Sequence, residues 1–209
     1  MRGARWLCLW LWTAAAFGAG AGDARLFFSR TFPGSVPPYL EVRLEKTGDA
    51  EYREAPDEEL PLKFKLSEEE IAAVFALAEK LDYFRHPLES PAKVAFMGTK
   101  LLRYENGDAK SEVKFNYSED LSAQALLNWF ERMAESAELR IDLERVAKYD
   151  HLGVMHALEM LDAAIEGHQV AGVAQFLPML DRIANNETYM HTARTLAADM
   201  AGAIRSPKK

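Results

Sequence analysis

The stretch Tyr39-Leu40-Glu41-Val42-Arg43-Leu44-Glu45 alternates without a break, with Leu40, Val42 and Leu44 on one side and Glu41, Arg43 and Glu45 on the other. A period of two sends successive side chains to opposite faces, so this is a half-buried β-strand. Its neighbours extend the reading. Arg25 to Thr31 (RLFFSRT) is a strand, and Phe32 to Pro38 (FPGSVPP) is a loop, because its prolines remove backbone donors and its glycine turns the chain. Thr47-Gly48-Asp49 is a turn that returns the chain through Ala50 to Arg53 as a hairpin partner. Leu62 to Leu66 alternates again, with Leu62, Phe64 and Leu66 inward.

Helices enter at Ser67. Ser67-x-x-Glu70 is a capping box, and Ile71, Val74, Phe75, Ala78 and Leu81 follow at helical spacing, ending near Phe84 ahead of His86-Pro87. Pro87 to Pro91 connects to a hairpin in which Val94 to Tyr104 and Glu112 to Tyr117 flank Asn106-Gly107-Asp108, since an Asn-Gly pair accepts the positive φ angles of a tight turn. Ser118 is the expected cap of the next helix, whose stripe is Leu126, Trp129, Phe130 and Met133. Residues 138 to 205 read as helix throughout. Leu143, Val146 and Ala147 run to Asp150, with a bend near Gly153. Val154, Leu158, Leu161 and Ile165 make a second stripe. Phe176, Leu177, Leu180 and Ile183 make a third, starting around Gln175 so that Pro178 falls in the first turn. Thr188 is the expected cap of the last helix. No second copy of these helical pairs exists, which argues against a solenoid.

The first residues address the chain. Arg2 and Arg5 precede an apolar run from Trp6 to Phe17, and Ala19-Gly20-Ala21 supplies a small-residue cleavage site, the order of a secretory signal. The run is about 12 residues, roughly 18 Å of helix against roughly 30 Å of bilayer core, so a removed leader is expected rather than a stable membrane span. Cleavage after Ala21 takes with it Cys8, the only cysteine of the 209 residues, so the mature chain has no thiol for a disulfide, metal site or nucleophile. It also removes two positive charges, taking the net charge from −7 to −9. An acidic surface argues against nucleic acid or anionic membrane as the main partner. At 49% hydrophobic and 27% charged, the composition is that of a folding globular chain.

The candidate chemistry is sparse. His151 and His156 lie about 140° apart on a helix, whereas a metal pair wants i, i+4; His156 with Glu159 is better placed but commonplace. His86, His168 and His191 stand alone. Ser35 in Pro33-Gly34-Ser35-Val36-Pro37 lacks the G-x-S-x-G elbow and is explained by turn formation. The acidic runs at Asp57 to Glu59 and Glu68 to Glu70 lack calcium-loop spacing. Asn116-Tyr117-Ser118 and Asn186-Glu187-Thr188 fit the glycan acceptor pattern, which matters only in a eukaryotic secretory route. The aromatic residues, Phe96 and Trp129 included, fit core positions. The sequence therefore offers no catalytic, cofactor-binding or metal-ligating set. The positions with surface character and no core periodicity lie in and beside the proline-stiffened loop. Phe32, Gly34, Val36 and Tyr39 are the candidate residues for contacting a partner, an unknown protein or a small ligand.

Arg30-Thr31-x-x-Gly34 through Pro38-Tyr39, with Val42, Tyr52 and the later Ser67 to Glu70, resembles an uncharacterised family of exported bacterial domains, the DUF6438-like group, over residues 25 to 135. In that family a first strand ends in Arg-Thr, a Cys/Gly/Pro-rich loop follows, and a Tyr opens the second strand. The two loop cysteines are absent here, with Pro33 and Pro37 near their places, so no redox or metal role transfers. The resemblance implies an exported α+β domain and supplies no activity.

The expectation is an α+β protein: a signal peptide over 1–21, a small, mainly antiparallel sheet with a packed helix over 22–136, and a helical subdomain over 137–209. Its expected role is a non-catalytic extracytoplasmic binding or structural module. The alternative is an extracytoplasmic hydrolase using carboxylate or histidine groups.

Overall fold

A computed structural model describes residues 24–206; the expected signal peptide, over 1–21, lies outside the described residues. The fold is α+β. Six strands, β1 (Arg25–Thr31), β2 (Tyr39–Glu45), β3 (Asp49–Arg53), β4 (Leu62–Lys65), β5 (Thr99–Asn106) and β6 (Ala109–Phe115), form one antiparallel sheet in the order β4-β3-β2-β1-β5-β6. The alternation of β2 sets the register. Leu26, Leu44, Ala50 and Phe64 pair across the sheet, as do Phe28, Val42, Tyr52 and Leu62, and both rows are turned toward the helices. The β5–β6 hairpin turns on Gly107 and Asp108, with Asn106 paired to Ala109.

Helix α1 (Glu68–Lys80) begins at the expected capping box: Glu70 donates its backbone N–H to the Ser67 hydroxyl, and its carboxylate accepts the Ser67 N–H. Three left-handed residues, Asp82 to Phe84, follow α1, with Phe84 buried in the core and Tyr83 stacked on Tyr104 at 4.3 Å. The remaining helices are α2 (Leu121–Tyr149), α3 (Val154–Glu166), α4 (Leu177–Ala184) and α5 (His191–Arg205). Pro178 falls in the first turn of α4, where it costs no hydrogen bond.

Several local expectations are corrected. Val94 to Gly98 is not strand; β5 starts at Thr99. Asp120, not Ser118, caps α2, because its carboxylate accepts both the Ser122 and Ala123 N–H groups. Met190 occupies the N-cap position of α5, and Thr188 donates its hydroxyl instead to Asn186. Phe130, not Trp129, fills the helix–sheet interface: it is fully buried and stacks on Phe28 at 5.0 Å, while Trp129 is half-buried beneath the Arg132 guanidinium.

The 29-residue α2 runs unbroken through residues 136 and 137. Its first half packs on the sheet and α1 through Leu126, Phe130 and Met133. Its second half, from Leu143, enters a separate apolar cluster with α3, α4 and α5. Two cores are thus assembled on one helix. They are stitched together near Gly172, whose N–H is donated to Glu70 at 2.8 Å, and Ala171, whose N–H is donated to the buried Ser136 hydroxyl at 2.8 Å. A side chain at Gly172 would meet the Lys65 carbonyl at 2.8 Å, and its φ of +61° suits glycine.

Candidate functional site

The loop Phe32 to Pro38 joins β1 to β2 at the end of the sheet where β5 also begins, because Thr31 pairs with both Tyr39 and Thr99. The loop is closed on itself. Phe32 donates its N–H to the Pro38 carbonyl at 2.9 Å, and Ser35 reaches the carbonyls of Phe32 and Pro37 with its hydroxyl at 2.8 and 2.7 Å. Ser35 is thus the turn residue its sequence context implies. Gly34 has a φ of +91° with open space around it, so glycine is needed there for backbone conformation alone.

The candidate positions, three in the loop and Tyr39 at the start of β2, have different surroundings. Val36 stands out at 96% exposure, the barest large apolar residue of the described chain. Phe32 is half-buried against Phe96, edge to face at 5.9 Å. Tyr39 faces the open side of the sheet and donates its hydroxyl to Glu41 at 2.6 Å; burial, with the Glu41 carboxylate beside it, holds that hydroxyl protonated well above the usual tyrosine range.

A second segment, Val94 to Met97, completes the surface. Val94, Phe96 and Met97 are all exposed, which removes Phe96 from the expected core. Asn116 holds this segment from below: its side-chain oxygen accepts the Met97 N–H at 2.6 Å and its amide donates to the Ala95 carbonyl at 3.1 Å. Lys100, nearly buried, donates to the carbonyls of Asn116 and Met97 at 2.8 and 3.3 Å, and burial pushes its pKa down. Gly98 lets the segment close on the loop, since a Cβ there would lie 2.9 Å from the Phe32 Cβ. Behind Met97 a depression of about 400 Å³ is lined by Lys100, Tyr117, Leu121 and Gln124. Leu121 is itself 80% exposed. The Asn116 side chain is therefore occupied in structure, which counts against its sequon being a glycan acceptor.

Sequence reading located the loop but not its companion. The Phe96–Met97 strip is created by Asn116, 19 residues away from Met97, and no local pattern announces such a reach. The strip was readable only as apolar residues, which a strand assignment absorbed.

A larger cleft of about 610 Å³ lies in the helical part, between the second half of α2 and α4. Arg140, Glu144, Lys148 and His151 line one wall, and Met179, Arg182 and Tyr189 the other. Arg140 donates to Glu144 at 2.9 Å, His151 lies against the Tyr189 ring at 4.9 Å, and the Tyr189 hydroxyl is spent on the Ala147 carbonyl at 2.8 Å. His156 sits outside the cleft, 4.0 Å from Glu159 on the exposed side of α3. Among the described residues no group of three or more His, Cys, Asp or Glu side chains is placed to hold a metal ion, and no helix is long and apolar enough to cross a membrane.

No family model matches the chain, and no curated protein matches it.

Proposed function

We propose that this chain is an exported, non-catalytic binding module that engages a partner protein through the loop Phe32 to Pro38 and the adjoining Val94 to Met97 strip. The observation that carries the reading is Val36, 96% exposed at the crest of a loop whose own hydrogen bonds fix its shape. A rigid loop presenting apolar side chains loses little freedom on binding, and neighbouring exposed apolar groups are costly to leave in water without a purpose. Phe96 lies against Phe32 of the loop at 5.9 Å, and both Phe96 and Met97 are exposed. The leader-like first residues and the resemblance to exported DUF6438-like domains support an extracytoplasmic setting.

The test uses Val36→Cys as a handle. Cys8 lies in the expected leader, so a photo-crosslinker at position 36 is the only modified site of the exported form. A defined partner band, lost when Phe96→Ser is added with the melting temperature preserved, supports the reading. No specific adduct from position 36, with wild-type stability, overturns it.

The hydrolase reading has one observation in its favour: the α2–α4 cleft brings Glu144 and His151 to one wall. Glu144 is paired with Arg140 and the Tyr189 hydroxyl is bonded to backbone, which leaves no activated nucleophile there. Hydrolysis of model ester or glycoside substrates, abolished by His151→Ala, would favour this alternative.

A further inference from the structure

We infer that the α2–α4 cleft binds a small polyanion, its acidic groups carboxylate or phosphate. The basis is a charge imbalance in a concave site. Arg140, Lys148 and Arg182 converge on the cleft, while Glu144 is its one carboxylate and is held by Arg140 at 2.9 Å. Lys148 and Arg182 take part in no ion pair among the described residues. Both are exposed; the Lys148 ammonium rests 4.9 Å from the centroid of the Tyr149 ring and Arg182 donates to the Met179 sulfur at 2.8 Å, contacts that hold the side chains without neutralising their charge.

This contrasts with the open face of the sheet, where Arg43 and Arg53 are taken up by Glu41 and Lys63 by Glu51. It also runs against the chain as a whole, whose net charge is −7. Cations gathered in a concave site concentrate the local field and raise the occupancy of anions there. The guanidinium fork of Arg182 matches carboxylate or phosphate oxygens, and the Lys148 ammonium serves as a mobile second charge. The His151 ring, tilted at 50° to that of Tyr189 with centroids 4.9 Å apart, adds an aromatic edge to the cleft lining. At about 610 Å³ the cleft is in the size range of small-molecule sites.

The probes are citrate and inorganic pyrophosphate, titrated calorimetrically into the folded protein at moderate ionic strength. Saturable one-site binding of either is expected, weakened at least tenfold in the double variant Lys148→Gln/Arg182→Gln. The double variant Lys80→Gln/Lys114→Gln, which removes the same charge from exposed sites elsewhere, should bind as the parent does. Preference between the two probes distinguishes a carboxylate ligand from a phosphate. A second readout needs no variant: the His151 and Tyr189 ring resonances should shift on titration. The absence of saturable binding overturns the inference, as does equal weakening in both double variants or shifts confined to residues outside the cleft.

Discussion

Glu41 lies directly across from Arg53, the two being register partners on adjacent strands, and accepts a hydrogen bond from its guanidinium at 3.0 Å while only 4% exposed. Arg43 donates to the same carboxylate at 2.7 Å and Tyr39 at 2.6 Å. A carboxylate nearly withdrawn from water is tolerated only with such partners. The arrangement also ties the foot of the candidate binding loop to the third strand. Arg53→Met should therefore cost about 1–3 kcal/mol, because a nearly buried carboxylate loses one of its two cations and a charge-assisted hydrogen bond. Urea denaturation measures this, and a loss below about 1 kcal/mol would show that Arg43 and Tyr39 suffice.

Phe130→Ala should cost about 3–5 kcal/mol, the usual range for a large aromatic removed from a closed core. Trp129→Ala should cost clearly less, since Trp129 is half-buried and covered on one side only by Arg132, 4.3 Å from its ring. Thermal midpoints of the two variants compared side by side settle the order. Reversal of that order would mean that the helix presents its other flank to the sheet.

Glu138 carries a pH dependence. Burial pushes its carboxyl pKa up, against the hydrogen bond from Tyr52, with Glu135 and Glu54 adding to the rise. Between the ordinary value and the raised one, the folded chain holds more protons than the unfolded chain, so stability falls as pH rises through that window and stays lowered at neutrality. Glu138→Gln keeps an acceptor for the Tyr52 hydroxyl, 3.2 Å away, and removes the charge. Its melting temperature should exceed the parent's at pH 7, with the gap closing towards pH 4. A gap independent of pH would contradict the assignment.

Ser136 is fully buried, donates to the Arg132 carbonyl at 2.6 Å and accepts the Ala171 N–H at 2.8 Å. Ser136→Ala leaves that N–H without its partner, at a cost of about 1–3 kcal/mol. Hydrogen exchange at the Ala171 amide should accelerate more than exchange at amides in the middle of β1. Uniform acceleration would mean that the bond does not act locally.

What the sequence made legible was whatever a short window encodes. The alternation of residues 39 to 45, the Ser67–Glu70 box and the Asn106-Gly107 turn all correspond to features of the fold. What stayed hidden depends on distance. Glu70 was readable as half of a cap, but not as the acceptor for Gly172, 102 residues on. Continuity of α2 had a signal in plain view, since no glycine or proline occurs between Asp108 and Gly153. It was masked because the buried side of the helix turns by about 120° between Ala137 and Leu143, which breaks the stripe without breaking the helix. The loop at Phe32 to Pro38 was legible from proline and glycine alone. The exposed strip beside it was not, because side chains from elsewhere in the chain hold it in place.

The shared helix also governs where this chain can change length over evolutionary time. Each residue added to or taken from the span between Ala137 and Leu143 would swing everything beyond it through about 100° and along by about 1.5 Å, parting Gly172 from Glu70 and Ala171 from Ser136. The stretch from Glu54 to Pro61, which lies outside both strand and helix, transmits no such rotation. Insertions and deletions among relatives should accordingly gather there and in the candidate binding loop, and spare the middle of α2.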